Sequence, residues 1–486
     1  MAMYQGVKAA MAERVLLVNP NQMKPPVAPL ALDYLASSLR ESQFQVELLD
    51  LCFATNFTQN LVQYFASNSV FAIAVTLRNT DDTCFATRDF FVPKLKEMTD
   101  CIKSQTSAPL ILGGSGFSIM PEAILEYCGL GLGIWGEGEY SLPLLVGKMA
   151  AGEDYIDVPG LVYRIEKGFK RSPPRHLDLE NRHSPGRNTV DNRRYFLEGG
   201  MGSIETKRGC SQQCIYCADP LGKGRRIRSR SPRSVVDEVE ALLEIGIDYF
   251  HFCDSEFNLP PDHAEAVCRE ITGRGLGSKV RWYAYCSPAP FNEEMALLFE
   301  KTGCAGINFG VDSATDEMLS ILGRDFTVED LERTAQICHR HGIVFMYDLL
   351  LGGPGETRDS LRTTIETMKR LSPSRVGASI GVRIFPETRL AAMVRKQGPI
   401  EKNPNLHGAI DDNFFAPVFY LSSSLGKDAP EYLASLVTGD ERFFVMSGEV
   451  TDQNYNYNEN TFLINAIRDG YRGAFWDILR RLGEKG

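Results

Sequence analysis

The chain has 486 residues, too many for one ordinary core, so a single small module is excluded and two or three domains are expected. It is 43% hydrophobic and 23% charged with a mean hydropathy of -0.18, and no uninterrupted apolar run is long enough to cross a bilayer, so no membrane span is expected. A formal net charge of -10 and a pI of about 5.4 argue against a nucleic-acid surface, which needs a positive field, and leave a small-molecule or peptide substrate as the expected partner.

The opening MAMYQGVKAAMAERVLLVNP lacks the basic flank, long apolar centre and small-residue cleavage site of a secretory signal, so a cytoplasmic location is expected. Thiols stay reduced there, and the scattered Cys52, Cys101, Cys268 and Cys338 read as small buried hydrophobes. From Arg14 to about residue 150 the pattern is apolar strand, loop, amphipathic helix, repeated: RVLLVNP, FQVELLDL, VFAIAVTLR, PLILGGSG and the short LGIWGEGE. Runs of Val, Ile and Leu without polar alternation predict a parallel sheet covered on both faces, a doubly wound Rossmann-like α/β domain over residues 1–158. Ligands of such sheets bind outside the carboxyl ends of the strands. Asn19, Pro20, Thr76, Arg78, Gly113, Gly114, Ser115, Gly136, Glu137, Gly138 and Glu139 collect there, although the glycines also suit plain tight turns.

Residues 159–199 read as a linker with a hairpin turning at Lys167-Gly168. Strand and helix then alternate again over residues 200–396: GSIETKRG, YFHFCDSEF, VRWYAYCSP, GINFGVDS, VFMYDLLLGG and RVGASIGVRIFP are six strands, which predicts a partial (β/α)6 barrel. Residues 397–486 break the rhythm, and the amphipathic RDGYRGAFWDILRRL predicts a small helical C-terminal cap. The basic run KGRRIRSRSPR, Lys223 to Arg233, fits either a carboxylate or phosphate at a helix entrance or a solvated face.

Three of the chain's 12 cysteines, Cys210, Cys214 and Cys217, stand in one loop, CSQQCIYC, just after the first barrel strand. They can reach three corners of a cuboidal iron-sulfur cluster, whereas a structural zinc site wants a fourth ligand nearby; no histidine is close in sequence, although Cys253 or His251 could approach in space. The motif, with Tyr216 before its last cysteine, resembles the cluster loop of the radical S-adenosylmethionine (SAM) superfamily. FCDSEFN resembles that family's acidic segment, GVDSATDEMLSILGRDFT its ribose segment, LLLGGPGET its adenine turn and VRIFPETRL its last strand, with Glu387 where glycine is commoner. The resemblance covers roughly residues 200 to 395 and implies a 4Fe-4S cluster with one open iron that binds SAM. It further implies SAM contacts at Tyr216, at Asp254 or Glu256 for the methionine amino group, and at Ser287, Asp312, Gly353 and Arg383. Solvated carboxylates at a strand end for Asp254 and Glu256, and a turn residue for Asp312, are the alternative to these roles. Reductive cleavage of SAM would need an external one-electron donor such as flavodoxin or ferredoxin.

A doubly wound domain ahead of such a barrel resembles the cobalamin-binding domain of the cobalamin-dependent radical SAM subgroup, whose methyltransferases form class B. GGSG and GEGE are the matching loops. The Asp-x-His-x-x-Gly signature that ligates cobalt is absent, because all seven histidines lie at or beyond His176. Arg78 is the candidate for a side chain beneath the corrin, where a guanidinium would exclude a ligand and favour reduced cobalt; a salt bridge to Asp81 or Asp82 is the alternative. The resemblance implies methylation of an unactivated carbon, one SAM supplying methyl through cobalamin and a second supplying a radical. Oxidation, cyclisation or ring rearrangement with the same cofactors, a methylthiotransferase, and a catalytically silent binder are the competing readings. Tyr283, Tyr285, Asn308 and Tyr347 are expected to point into or near the barrel and meet the substrate, with NYNYNEN closing the mouth; core packing would look the same in sequence.

Overall fold

The computed structural model describes residues 13–180, 186–445 and 458–484. Residues 454–457 of the segment expected at the mouth lie outside the described residues. Among those described, no helix is long and apolar enough to cross a membrane.

The N-terminal sheet has five parallel strands, β1 (Arg14–Asn19), β2 (Gln45–Asp50), β3 (Ala72–Thr76), β4 (Leu110–Gly113) and β5 (Leu132–Ile134), in the order β2-β1-β3-β4-β5. Alternate residues of β1 feed two different cores: Leu16 and Val18 pack with Ile73, Val75 and Leu112 on one face, Val15 and Leu17 with Ala72, Ala74 and Ile111 on the other. Both faces are therefore dry, which is why these strands read as unbroken apolar runs. The hairpin expected at Lys167-Gly168 forms as β6 (Leu161–Arg164) and β7 (Phe169–Arg171) and extends this same sheet antiparallel from β5. Gly168 turns it with a φ of +82°.

The second sheet contains the six expected strands, β8 (Gly202–Ile204), β9 (Tyr249–Phe252), β10 (Arg281–Cys286), β11 (Cys304–Asp312), β12 (Phe345–Leu351) and β13 (Arg375–Ile380), all parallel and in sequence order. A seventh, β14 (Phe443–Val445), comes from the C-terminal region and pairs parallel with β13. Helix starts are written in the sequence: Thr327 accepts from Asp330 N, while the Asp330 carboxylate takes the Thr327 amide at 2.8 Å, a capping box that opens Val328–Arg340. The outer face of the sheet packs Phe252, Trp282, Phe309 and Tyr347 against the helices. The inner face is plugged at its lower end by the C-terminal helices, where Tyr283 and Met346 pack with Phe444, Trp476 and Ile478.

The carboxyl ends of the two sheets face one another. Asp81, beyond β3, meets Arg383, beyond β13, at 3.0 Å with both side chains buried, and Gly381 (φ +85°) leaves no room for a Cβ against Phe85. Glu139, beyond β5, takes Arg208, beyond β8, at 2.6 Å. The linker is bolted down too: Arg187 pairs with Asp33 of the first domain at 3.2 Å and with Glu238 of the second at 2.6 Å.

Arg383→Met should cost about 3–5 kcal/mol, because it leaves Asp81 buried and unpaired; a thermal midpoint equal to wild type would contradict this role for the pair. The inner-face imidazole of His251 is lowered by burial to about 4. The unfolded chain takes up that proton near pH 6.5 and the folded chain does not until about 4, so stability is full above the window and is lost as pH falls through it. His251→Gln should remove roughly 3 kcal/mol of that acid sensitivity; denaturant midpoints that fall as steeply with pH in the variant would refute it.

Candidate active site

The cysteine loop hangs from one buried carboxylate. Asp254, just past β9, accepts from Thr206 N at 2.8 Å, Thr206 Oγ1 at 2.5 Å, Lys207 N at 3.2 Å and Lys207 Nζ at 2.9 Å. Burial opposes its charge, but Lys207 and Thr206 outweigh that and hold the carboxyl below its usual range. Lys207–Arg208 then pairs antiparallel with Arg228–Ser229, and Gly209, at a φ of +91° and with Arg226 O only 2.2 Å from where a Cβ would sit, turns the chain into the loop. The loop is stitched down from the opposite side by Ile215 N to Leu322 O (3.0 Å), Leu390 N to Ile215 O (2.8 Å) and Arg389 Nη1 to Gln213 O (3.0 Å).

Cys210, Cys214 and Cys217 are all partly buried and free. Burial pushes each thiol up, Cys217 to about 12, so ionising the three in place calls for a nearby cation. Arg324 supplies one at Cys214, donating from Nη1 to Sγ at 3.0 Å. The same guanidinium donates to Gly310 O and stands 3.5 Å from Asp312 and 3.9 Å from Glu256. Asp312, at a φ of +66° where β11 loses its register with β12, accepts from the Tyr216 hydroxyl at 2.6 Å. Glu256 is raised by burial to about 7, with Arg324 drawing it back, and its Oε2 is buried without a hydrogen-bond partner among the described residues. Sequence reasoning passed over Arg324, although it lies inside the GVDSATDEMLSILGRDFT segment; nothing in the spacing reveals that the chain folds back onto Cys214.

The structure separates the expected residues into those that face the space between the sheets and those spent inside the fold. Tyr216, Glu256 and Asp312 come together around Arg324 and the cysteine loop, and Ser287 lies just past the end of β10 with its Oγ buried and unpartnered among the described residues. Gly353 lies in the turn after β12, against Leu322. Asp254 is committed to Thr206 and Lys207, so of the two acids Glu256 is the one left available. Arg383, expected at SAM, is instead consumed by Asp81 and by the carbonyls of Phe414, Phe415 and Val418.

On the N-terminal side, Arg78 has no salt bridge to Asp81 or Asp82 among the described residues: Asp81 belongs to Arg383, and Arg78 Nη1 is buried without a hydrogen-bond partner. Its charge reaches across to β9, where it partly offsets the burial that pushes up the Cys253 thiol. Ser115 Oγ holds the Arg78 carbonyl at 2.7 Å, and Gly114 (φ +103°) packs so closely beneath Leu77 and Thr76 that a Cβ would lie 2.5 Å from Leu77 O. Pro20, Thr76 and Gly113 lie at the same strand ends, with Gly113 against β5. Asn19 is locked within the fold, donating to Asp50 and Tyr195 at 2.9 Å each. Gly136 N donates to Ser118 Oγ at 2.9 Å, and Gly138 begins the Gly138–Ala151 helix. Glu137 and Glu139 are not offered to a ligand here: Arg228 and Arg208 occupy them, which also answers where part of the basic run goes.

Of the residues expected to meet substrate, Asn308 lies on the inner face with its Oδ1 buried and unpartnered among the described residues, and Tyr285, on the same face, is 46% exposed with the His251 ring at 5.0 Å. Tyr283 is corrected: it shares that face but sits lower, donating to Asp477 at 2.8 Å within the plug. Tyr347 is corrected as well. Its odd-numbered neighbours Phe345 and Leu349 face the helices, and its hydroxyl donates to Leu331 O at 2.7 Å in the outer core.

These residues fit the groups that the sequence implies. Three loop thiols, one already facing a guanidinium, suit an iron-sulfur cluster, and among the described residues no three His, Cys, Asp or Glu side chains converge on a single metal-ion position. Glu256, Ser287 and Asn308 on the barrel side and Arg78 on the other carry buried polar atoms without a hydrogen-bond partner among the described residues, which a bound nucleoside and corrin would satisfy.

Comparison with known proteins agrees. The radical SAM superfamily profile matches residues 204–368 and the B12 binding domain profile matches residues 21–146. The tryptophan 2-C-methyltransferase of Streptomyces laurentii is 33% identical over 95% of both chains. The radical SAM methyltransferase TsrM from Kitasatospora setae, solved with tryptophan and a SAM analogue, superposes with a TM-score of 0.90 at 34% identity over 97% of this chain and 98% of that one. The same enzyme with cobalamin and a [4Fe-4S] cluster gives a TM-score of 0.88 at 33% identity over 98% of each. With its barrel, its cysteine loop and its doubly wound domain matched from end to end, this chain belongs to the cobalamin-binding radical SAM methyltransferases of class B.

Proposed function

We propose that this protein methylates tryptophan at C2 of the indole, with SAM as the methyl source. The observation that carries the reading is the end-to-end likeness, at a TM-score of 0.90, to an enzyme solved with tryptophan in place. Cys210, Cys214 and Cys217 hold a [4Fe-4S] cluster in this reading, and an external low-potential donor of the flavodoxin or ferredoxin kind keeps it reduced. When bound, the cluster, SAM and cobalamin supply the electron, the methyl group and its carrier.

The chain's own residues do the rest. Glu256 accepts from the methionine amino group of SAM, a role favoured by its free buried oxygen and by the commitment of Asp254 to the loop. The Tyr216–Asp312–Arg324 set fixes the wall of the nucleoside site. Arg78 faces the corrin with a guanidinium, which cannot ligate cobalt and favours its electron-rich state. Tyr285 and Asn308 line the inner face as one aromatic and one amide surface, chemistry suited to a flat ring with a polar edge. The plug built on Tyr283 and Trp476 closes the lower end, so substrate enters from the side of the facing sheets.

Cluster-loaded, cobalamin-loaded protein given SAM, tryptophan and a low-potential reductant should release 2-methyltryptophan carrying the SAM methyl group, read by mass spectrometry with methyl-deuterated SAM. Tryptophan returned unchanged from protein with full iron and corrinoid occupancy would remove it as the substrate. Glu256→Ala should weaken SAM binding to cluster-loaded protein by roughly ten- to a hundredfold, the equivalent of one hydrogen bond to a charged group. Unaltered affinity in equilibrium binding would assign the amino group to another residue.

A further inference from the structure

Arg324 is buried, with a side chain only 6% exposed, on a loop whose preceding residue, Gly323 (φ +79°), packs so tightly that a Cβ would lie 2.3 Å from Gln213 O in the cysteine loop. That close approach delivers the guanidinium to one sulfur. Among the described residues, Cys214 is the one member of the cysteine triad whose sulfur accepts a side-chain N–H, at 3.0 Å from Arg324 Nη1. The head group is fixed in orientation as well as place: Nη2 donates to Gly310 O, Nε stands 3.5 Å from Asp312 Oδ2, and the plane lies over the Phe326 ring at 4.9 Å. A planar fork hydrogen-bonded through both Nη atoms, with its Nε near the Asp312 carboxylate but without a hydrogen bond among the described residues, keeps its charge against the sulfur.

We propose that Arg324 is a positioning residue that sets the reduction potential of the iron-sulfur cluster, raising it through a charge-assisted N–H to sulfur bond at Cys214. The inference rests on the reading that Cys210, Cys214 and Cys217 hold the cluster. A cluster on three thiolates becomes more negative when it takes one electron from a low-potential donor, and no other bond changes. A fixed positive charge and a hydrogen bond on a ligating sulfur stabilise that reduced form selectively. Two carboxylates, Asp312 and Glu256, lie on the far side of the guanidinium. Without Arg324 their charge would reach the sulfurs uncompensated, which lowers the potential further. The residue thus links the electron-accepting centre to the acids that border the nucleoside site.

The test is an anaerobic potentiometric titration with dithionite, following the electron paramagnetic resonance signal of the reduced cluster in full-length wild type, Arg324→Lys, Arg324→Gln and Arg324→Met. Iron and sulfide are counted in each. The expected midpoint order is wild type most positive, then Lys, which keeps charge without the fork, then Gln, which keeps a donor without charge, then Met. Should the Met variant hold no iron, the order of wild type, Lys and Gln decides. Equal midpoints among cluster-loaded proteins, or a reversed order, would overturn the inference while leaving the cluster assignment intact. Wild-type protein that never assembles a cluster would overturn both.

Discussion

One buried carboxylate organises the site: Asp254 accepts four hydrogen bonds from Thr206 and Lys207 and so fastens the root of the cysteine loop to the neighbouring strand. A loop that must carry three ionised sulfurs cannot also rely on regular sheet hydrogen bonding, because a cuboidal cluster needs its ligands spread rather than aligned. The fold answers by fixing the backbone at the root of the loop through Asp254 and within the loop, at Gln213 and Ile215, through Leu322, Arg389 and Leu390. Such a rigid base leaves the sulfurs positioned before any iron arrives, and preorganisation of this kind is what a site of fixed geometry requires.

The second constraint is electrostatic and lies between the domains. Two parallel sheets present their carboxyl ends to each other, where ligands of such sheets bind. The rim of this space is built from buried ion pairs: Asp81 with Arg383, Glu139 with Arg208, Glu137 with Arg228, Arg187 with Asp33 and Glu238. Buried pairs contribute little net stability but are costly to break, so they fix one relative placement of the two sheets more than they strengthen it. Within that rim, a few polar atoms remain unpartnered among the described residues, on Arg78, Glu256, Ser287 and Asn308. The rim charges each face an opposite charge, whereas among the described residues Arg78 and Glu256 carry buried polar atoms without a hydrogen-bond partner beside the cysteine loop and the strand ends.

Much of this was legible in the sequence because it is local. The spacing of Cys210, Cys214 and Cys217, the apolar runs of eleven parallel strands in two sheets, and the Thr327 cap depend on neighbours within a turn or a strand. What escaped depends on partners far away in the chain. Arg383 reads in sequence as a ligand residue but serves Asp81, 302 positions earlier; Glu137 and Glu139 read as a corrin loop but serve arginines of the barrel. Strand periodicity gives parity but not face or height: it does not reveal that the set containing Tyr347 faces the helices, or that Tyr283 lies low enough to join the plug. β14 is three residues long, too short to carry a pattern, and Arg324 became visible only once the chain closed on Cys214.

The most direct check on the account is Mössbauer spectroscopy of anaerobic protein reconstituted with iron-57. Three cysteine ligands and one corner without a cysteine predict a [4Fe-4S] spectrum in which one iron differs from the other three and shifts when SAM is added. Protein that takes up no iron and instead holds zinc in a closed tetrahedral set of protein ligands would contradict the account at its base.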